Sequence, residues 1–144
     1  MSSATDKPVA LILAAGKGTR MKGDLPKVIH PVGGRPMVCP IVDACLEAGC
    51  RRVIAIVGYK QELVRDALKN YKQVEFAVQE QQLGTGHAVL SAKDVLGIDG
   101  NDIFIFGGDG PLIRSATLKT VLEKHRTIKV AATLAISTAL STRP

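Results

Sequence analysis

The residues best suited to chemistry in this chain lie in one stretch close to its start. An apolar run, residues 9–13, ends at two alanines and is followed by Gly16 and Gly18. Three cations stand among the glycines or shortly after them: Lys17, Arg20 and Lys27. Backbone N–H groups of a glycine-containing loop can approach a polyphosphate closely, and the cations can neutralise it. The stretch therefore predicts a strand that leads into a phosphate-binding loop.

The same stretch departs from two common phosphate-binding motifs. Met21 occupies the position at which the dinucleotide fingerprint G-x-G-x-x-G has its third glycine, and no G-K-[ST] stands at the offset of a Walker A motif. The alternative to a phosphate site is an ordinary flexible loop. Residues 14–35 form a loop that is long for a compact domain, and this length together with the three cations favours a functional loop.

A second polar loop, residues 79–85, follows a short apolar run and contains a glycine. The side-chain amide of Gln79 offers both a donor and an acceptor, which suits the polar edge of a nucleobase. The alternatives are a solvated loop without a ligand, or a catalytic base at His87. Because His87 falls at the start of a predicted helix, a structural hydrogen bond is the role that we expect for it.

Asp109 is the acidic residue best placed for chemistry. It lies between glycines, where the chain leaves a predicted strand. A carboxylate there can hold Mg²⁺ against phosphate groups, and Mg²⁺ needs only one or two protein carboxylates because water and phosphate complete its coordination. The alternative is an aspartate in a tight turn before Pro111.

The elements that must position these residues alternate along the chain. Short apolar runs predict strands, and apolar residues at spacings of three and four predict helices. The predicted strands are Val9–Leu13, Val53–Val57, Val74–Val78, Asp102–Phe106 and Lys129–Ile136. The predicted helices run from about Pro36 to Gly49, over 60–70, from Gly86 to Val95 and from Ser115 to Arg126.

This alternation predicts an α/β fold. We expect a Rossmann-like three-layer sandwich with a mostly parallel sheet, helices on both faces and right-handed crossovers. In such a sheet the ligand lies at the carboxyl ends of the strands. The loops that follow the first, third and fourth strands all lie there, so the glycine-rich loop, the Gln79 loop and the Asp109 loop are expected to converge.

Length, charge and composition narrow the choice of partner. The 144 residues are enough for one domain, and a net charge of +6 is compatible with an anionic partner. The cations are scattered, however, and aromatic residues, on which bases would stack, make up 3% of the chain. We therefore expect no nucleic-acid partner. No apolar run approaches the roughly 18 residues of a membrane span, so we expect no membrane partner either.

The cysteines indicate a reducing compartment. Cys39, Cys45 and Cys50 match neither a C-x-x-C motif nor the ligand spacing of a zinc site. Their odd number, and an N-terminal segment without the pattern of a signal peptide, predict reduced thiols and a cytoplasmic location. We expect most of the three to pack in the core.

Four motifs together resemble a known family. The run Leu13–Met21, continued by Leu25-Pro26-Lys27 and His30, resembles the signature of the sugar-phosphate nucleotidyltransferases. Within that family it is most similar to uridylyltransferase domains that act on N-acetylglucosamine 1-phosphate. The resemblance continues through Gly34–Met37, Gln82–Ala88 and Gly108–Ile113, where Gly110 stands in place of the family's larger aliphatic residue. It covers roughly residues 8–136.

The resemblance implies a reaction and a set of roles. Enzymes of this family join UTP to a sugar 1-phosphate with Mg²⁺ and release pyrophosphate. Arg20 and Lys27 would be the catalytic cations, Arg20 at the triphosphate and Lys27 on the reacting side, and Asp109 would be the metal ligand. The implied nucleotide-binding residues are Leu13, Ala14, Ala15, Gly16, Gly18, Gln79, Gly84 and Thr85.

The resemblance also implies a division of the chain. The family's uridylyl domain runs on for many tens of residues beyond the matched part, with the sugar-binding residues. We therefore expect a flexible tail over residues 1–7, the nucleotide-binding half of a nucleotidyltransferase domain over 8–136, and a C-terminal tail over 137–144. The function would be UMP transfer, with an oligomer or a complementing chain as a partner. The alternative is a nucleotide-binding remnant without catalysis.

Overall fold

The computed structural model describes residues 6–21, 23–97 and 102–136. The strands are Val9–Ala14 (β1), Pro31–Val32 (β2), Arg35–Pro36 (β3), Arg52–Val57 (β4), Val74–Val78 (β5) and Ile103–Gly107 (β6). The helices are Val38–Glu47 (α1), Gln61–Leu68 (α2), Thr85–Ser91 (α3), Lys93–Leu96 (α4) and Ser115–Ile128 (α5). Most expected tail residues, 1–5 and 137–144, lie outside the described residues.

Four strands form one parallel sheet with β1 in its interior. The strand order is β5-β4-β1-β6, and Val9 of β1 pairs with Arg52 on one side and with Ile103 on the other. The two short strands β2 and β3 form a separate antiparallel hairpin within the long loop that follows β1. The predicted parallel sheet is therefore confirmed, and the long loop contains a small ordered hairpin.

The apolar run of β1 is buried on both faces of the sheet. Val9 and Leu11 pack into one core, Ala10 and Ile12 pack into the other, and all four are fully buried. A strand covered on both sides needs apolar residues at every position rather than at alternate ones. This explains why β1 reads in the sequence as a continuous hydrophobic run.

Helices cover both faces of the sheet. On one face Ile41 of α1, Val64 of α2 and Leu118 of α5 belong to the same core as the β1 side chains. Helices α3 and α4 cover the other face. Ala88 of α3 and Ala92, between the two helices, are buried there. The predicted three-layer α/β sandwich is therefore confirmed.

Helix α1 carries much of the first core. Its buried side chains recur at helical spacing and include Cys39 and Cys45, and Cys50 is buried just after it. The helix ends in a Schellman arrangement, in which Cys50 N–H donates to Cys45 O (3.0 Å) across Gly49 (φ 95°). Pro36 belongs to β3 rather than to the helix, so α1 begins two residues later than its predicted start.

The predicted strand Lys129–Ile136 is wrong. After α5 the chain turns through Lys129 in a left-handed conformation (φ 54°) and continues without strand pairing, with Leu134 84% exposed. Residues 131–135 line a groove of about 670 Å³ that β6 and α5 also line. The segment has an apolar sequence suited to a strand and lies across this groove from β6, the end strand of the described sheet, but its backbone does not pair with β6.

Two helix boundaries also need correction. The helix predicted from Gly86 to Val95 is two short helices, since the backbone breaks at Ala92 between α3 and α4. The last helix continues to Ile128, two residues beyond its predicted end at Arg126. No helix among the described residues is long and apolar enough to cross a membrane.

Arg52 joins three elements at the amino edge of the sheet. Its guanidinium donates to both carboxylate oxygens of Glu75 on β5 (3.1 and 3.0 Å) and to the carbonyls of Val95 (3.1 Å) and Leu96 at the end of α4. The Arg52 side chain is 16% exposed, so water screens these bonds only in part. The contact holds α4 against the sheet and with it the helical layer that follows the Gln79 loop.

We expect Arg52→Ala to lower the free energy of unfolding by about 2–3 kcal/mol, because two carbonyls and a carboxylate lose a charged donor. Urea unfolding monitored by circular dichroism measures the change. Lys119→Ala, on the exposed side of α5, is the matched control and should change stability by less than about 0.5 kcal/mol. Equal effects of the two variants would contradict the role of Arg52.

Candidate active site

The candidate site lies where the order of strands reverses. From β1 the chain moves outward through β4 to β5, and then returns to place β6 on the other side of β1. The loops that leave β1 and β6 therefore diverge from a shared crevice at the carboxyl edge of the sheet. In open α/β sheets this is the position at which ligands bind.

A cleft of about 380 Å³ occupies this crevice. The three predicted loops all contribute to it, so their expected convergence is observed. Its lining residues are Leu13, Ala15, Gly16, Gly18, Lys27, Val28, Gln79, Gln82, Gly84, Thr85, Ala88, Gly107 and Asp109.

One ion pair lies at the end of the cleft formed by the loops that follow β1 and β6. Lys27 Nζ lies 2.6 Å from Asp109 Oδ2, and the two residues are 82 positions apart in the sequence. The hydrogen bond from Lys27 holds the pKa of the Asp109 carboxyl below its ordinary value, although partial burial acts in the opposite direction. Since both side chains are nearly half exposed, the pair is screened and adds little to stability. Its value is in placing one cation and one carboxylate at the same point.

Local backbone geometry fixes the position of Lys27. Pro26 is buried and precedes a 3₁₀ turn over Lys27–Ile29, whose middle residue Val28 packs in the core. Gly18 lies against this turn with φ 72°, and a Cβ at Gly18 would lie 2.7 Å from Lys27 Cβ. Glycine at position 18 is therefore required both by its backbone conformation and by the close approach of Lys27.

Asp109 is positioned by the close approach of its loop to β1. Gly108 N–H donates to Leu13 O (2.9 Å), extending the pairing of β6 with β1. A Cβ at Gly108 would lie 2.8 Å from Val28 Cγ1 and 2.9 Å from Leu13 O. Any side chain at position 108 would push the Asp109 loop away from the sheet.

Gln79 lies at the opposite end of the cleft and is 4% exposed. Its backbone N–H donates to Val57 O (2.8 Å), which continues the pairing of β5 with β4. Its side-chain Nε2 donates to Gly84 O (3.2 Å) and lies 3.1 Å from His87 Nδ1. The structural hydrogen bond predicted for His87 is therefore observed, and its partner is the predicted base-binding residue.

The sequence reasoning missed a second glutamine. Gln82 Nε2 donates to Ala15 O (2.7 Å), and Tyr59 N–H donates to the same carbonyl (3.2 Å). Gln82 thereby joins the loop that follows β5 to the glycine-rich loop that follows β1. The motif Gln82–Ala88 indicated that Gln82 could belong to the site. The sequence does not show which backbone carbonyl Gln79 or Gln82 can reach, however, and this decides the role of each glutamine. Val28, Ala88 and Gly107 also line the cleft and were not predicted.

Nine of the eleven predicted site residues line the cleft, and Ala14 and Arg20 do not. Ala14 is buried in the core on the α1 face of the sheet, so its side chain points away from the cleft. Arg20 is exposed in the turn closed by Met21 N–H to Gly18 O (2.9 Å). The structure therefore brings Lys27, but not Arg20, to Asp109.

The glycine-rich loop is held from outside by Tyr59. Lys17 Nζ lies 5.3 Å from the centre of the Tyr59 ring, and Lys60 Nζ lies 5.6 Å from it. Lys60 also pairs with Asp24 (3.1 Å) farther along the loop and lowers the pKa of that carboxyl. Tyr59 and Lys60 belong to the loop that follows β4. Their contacts therefore attach the glycine-rich loop to the sheet at a second place.

Asp109 meets the chemical requirement for a magnesium ligand, as a single carboxylate. No cluster of three or more His, Cys, Asp or Glu side chains that could hold a metal occurs in residues 6–21, 23–97 and 102–136. Mg²⁺ suits such a site, because it is commonly bound by one or two carboxylates together with substrate phosphates and water. The low pKa of Asp109 keeps the carboxylate ionised, as a metal ligand must be.

A parallel sheet with glycine-rich loops around a cleft at its topological switch point defines a Rossmann-like α/β domain with a candidate ligand site at the carboxyl edge of its sheet. Comparison with known families is more specific. The chain belongs to the MobA-like NTP transferase domain family, whose model matches residues 10–140.

Named relatives agree with this assignment. The chain is 48% identical over 134 residues to the bifunctional protein GlmU of Geobacter metallireducens, which covers 93% of this chain and 27% of the relative. Among solved structures it is similar to a nucleotidyl transferase from Methanothermobacter thermautotroptrophicus, with 25% identity, a TM-score of 0.71, and coverage of 81% of this chain and 57% of that one. The chain thus spans about a quarter of the length of the curated relative.

The fold extends to transferases of lower sequence similarity. A UDP-glucose pyrophosphorylase complexed with UDP-glucose has 23% identity and a TM-score of 0.67, with coverage of 85% of this chain and 54% of that one. At this identity the likeness shows a shared α/β nucleotidyltransferase fold.

We expect Gly108→Ala to destabilise the protein by about 1–3 kcal/mol, because the added methyl group overlaps Val28 and the Leu13 carbonyl. Gly110→Ala is the matched control, since a Cβ at Gly110 meets no atom within 4 Å. Urea unfolding of both variants measures the difference. A Gly110 variant as unstable as the Gly108 variant would show that loop flexibility, rather than close packing, is what position 108 provides.

Proposed function

We propose that the chain binds UTP in the cleft and is the nucleotide-binding half of a transferase. The reaction is transfer of UMP to a sugar 1-phosphate, with N-acetylglucosamine 1-phosphate as the preferred acceptor. The observation that carries the proposal is the presence, in one cleft, of an amide-lined pocket at Gln79 and a cation–carboxylate pair at Lys27 and Asp109. The first suits a nucleobase, and the second suits a triphosphate with its metal ion.

The two groups of residues at the ends of the cleft give UTP an orientation. The base lies against the buried Gln79 and the exposed Gly84 and Thr85, and all three residues are neutral. The ribose bridges from the base to Lys27, and the triphosphate runs from Lys27 back along Gly16–Gly18, where the cation and the backbone N–H groups offset its charge. The α-phosphate then lies at the Lys27 end, on the open side of the cleft.

The reaction requires positioning more than covalent participation. A phosphate oxygen of the sugar 1-phosphate attacks the α-phosphorus in line, a new P–O bond forms, and the bond to the β-phosphate oxygen breaks to release pyrophosphate. The attacking oxygen is already anionic, so no side chain needs to remove a proton. Lys27 stabilises negative charge on the transferring phosphoryl group, and the loops hold the two reactants at reacting distance.

Lys27 and Asp109 exchange partners when nucleotide binds. In the free protein each neutralises the other at 2.6 Å. With UTP and Mg²⁺ present, Asp109 would hold the metal ion, which supplies positive charge at the phosphate oxygens, and Lys27 would contact phosphate directly. Because the pair is screened by water, its separation costs little free energy.

The similarity to GlmU and the match to an NTP transferase family support this proposal. We assign residues 8–136 to the nucleotide-binding half and the remaining residues to tails. A second polypeptide segment or subunit would supply the sugar-binding half, and the enzyme would act in the cytoplasm on precursors of UDP-N-acetylglucosamine. The second candidate is nucleotide binding without transfer, which is favoured by the position of Arg20, an expected catalytic cation, outside the cleft.

Incubation of the chain with UTP, N-acetylglucosamine 1-phosphate and Mg²⁺ tests the transfer. We expect UTP binding by isothermal titration calorimetry and pyrophosphate release above a control without the sugar phosphate. Binding without release would favour the second candidate. Absence of UTP binding would contradict both.

Two variants test the phosphate end of the cleft. We expect Lys27→Met to weaken UTP binding roughly ten- to a hundredfold with or without Mg²⁺, the contribution of one charged hydrogen bond. We expect Asp109→Asn to abolish the Mg²⁺ dependence of UTP affinity and to leave the affinity measured in EDTA within about threefold, because it removes the metal ligand while keeping Lys27. Lys129→Met, remote from the cleft, is the control for loss of charge. A Mg²⁺ response that persists in Asp109→Asn would rule out Asp109 as the ligand.

A further inference from the structure

The orientation of the Gln79 side-chain amide is fixed by its protein neighbours. One of its contacts is the carbonyl of Gly84, which can only accept a hydrogen bond, so the atom 3.2 Å away must be the donor Nε2. The same Nε2 lies 3.1 Å from His87 Nδ1. Both N–H groups of the amide are thus directed at protein acceptors.

This arrangement also fixes the state of His87. To accept from Gln79, Nδ1 must carry no proton, so the ring is neutral with its proton on Nε2. The backbone of His87 is anchored because Ala88, the next residue, is buried in the core and Ser91 Oγ donates to the backbone carbonyl of His87 (2.9 Å). With this backbone and the contact of Nδ1 with Gln79, the ring acts as a stationary acceptor.

The remaining polar atom of the Gln79 side chain is Oε1. No residue in the described parts of the chain donates to it, and Gln79 lines the cleft. The nucleotide therefore meets an acceptor at this position and not a donor. A ligand group placed there must itself carry an N–H.

We infer that His87 is a positioning residue that holds Gln79 with Oε1 toward the base, and that this polarity selects uracil over cytosine. Uracil presents N3–H, a donor, at the centre of its Watson–Crick edge, whereas cytosine presents an unprotonated N3, an acceptor. If the amide turned over, Gln79 would offer Nε2 and would suit cytosine instead. The inference rests on the proposed binding of a pyrimidine nucleotide in the cleft.

The alternative role of His87 as a general base does not fit the geometry. Its Nδ1 is engaged with Gln79 at the base end of the cleft, away from Lys27 and Asp109. The attacking sugar-phosphate oxygen carries no proton to remove. His87 therefore acts on the reaction through Gln79 and not on the reacting atoms.

Two substitutions separate positioning from general packing. His87→Asn keeps an acceptor near the place of Nδ1, whereas His87→Leu fills similar space without one. We expect His87→Leu to lower UTP affinity and the UTP-to-CTP affinity ratio by roughly three- to tenfold, the contribution of one neutral hydrogen bond. His87→Asn should keep both within about twofold of the wild type. His125→Leu, on α5 away from the cleft, is the control and should change neither.

Calorimetric titration of each variant with UTP and with CTP gives these ratios. An unchanged ratio in His87→Leu would overturn the inference, as would an equal loss in His87→Asn and His87→Leu. A melting temperature measured for each variant separates a local effect from unfolding, since positioning predicts altered selectivity in a protein that still melts cooperatively.

A second measurement needs no nucleotide and keeps the inference separate from the proposed function. In ¹⁵N-resolved NMR of the free wild-type protein, we expect His87 as the neutral tautomer with its proton on Nε2, and Gln79 side-chain amide resonances that shift in His87→Leu. A proton on Nδ1 would overturn the inference. Wild-type protein that shows this tautomer but binds neither UTP nor CTP would refute the base-selection claim and the proposed function, while the positioning of Gln79 would stand.

Discussion

Strand β1 is hydrogen-bonded on both of its edges and packed on both of its faces, and the rest of the structure depends on that constraint. Its pairing with β4 and β6 leaves no free edge, and its alternating side chains enter two separate cores. The carbonyls at its end and just beyond it remain available where the sheet ends, so Leu13 O accepts from Gly108 and Ala15 O accepts from Gln82. The loops of the candidate site are thus attached directly to an interior strand that is buried on both faces.

The two ends of the cleft are held by different kinds of interaction. At one end, Lys27 and Asp109 form a solvated ion pair that can be exchanged for a charged ligand at small cost. At the other end, Gln79 is buried and makes neutral, directional hydrogen bonds with His87 and Gly84. The first arrangement suits a group whose charge changes during a reaction, and the second suits recognition of shape and of donor and acceptor positions.

Most of the sheet could be predicted because its strands are continuous apolar runs, and the four strands lie within one residue of their predicted bounds. Residues 129–136 show the limit of this reasoning, since composition indicates a preference for extended backbone but does not decide whether the segment pairs with the end strand β6. The site residues were recognisable by type, as Gln79 and Asp109 show. Their partners were not, because Lys27 lies 82 positions from Asp109 and the choice between Gln79 and Gln82 depends on which carbonyl each can reach.

The position of β6 has a consequence for how the protein folds. Strand β1 is synthesised first, but one of its two parallel partners is the last described strand of the sheet, so their pairing joins residues far apart in the sequence, such as Val9 and Ile103. Contacts of such long sequence separation make folding slower than in proteins built from local contacts. The Lys27–Asp109 pair joins the loops that follow these two strands, and a nucleotide that bridges the two loops would favour the folded sheet by mass action. Ligand concentration and the folding of the central strand pair are in this way linked.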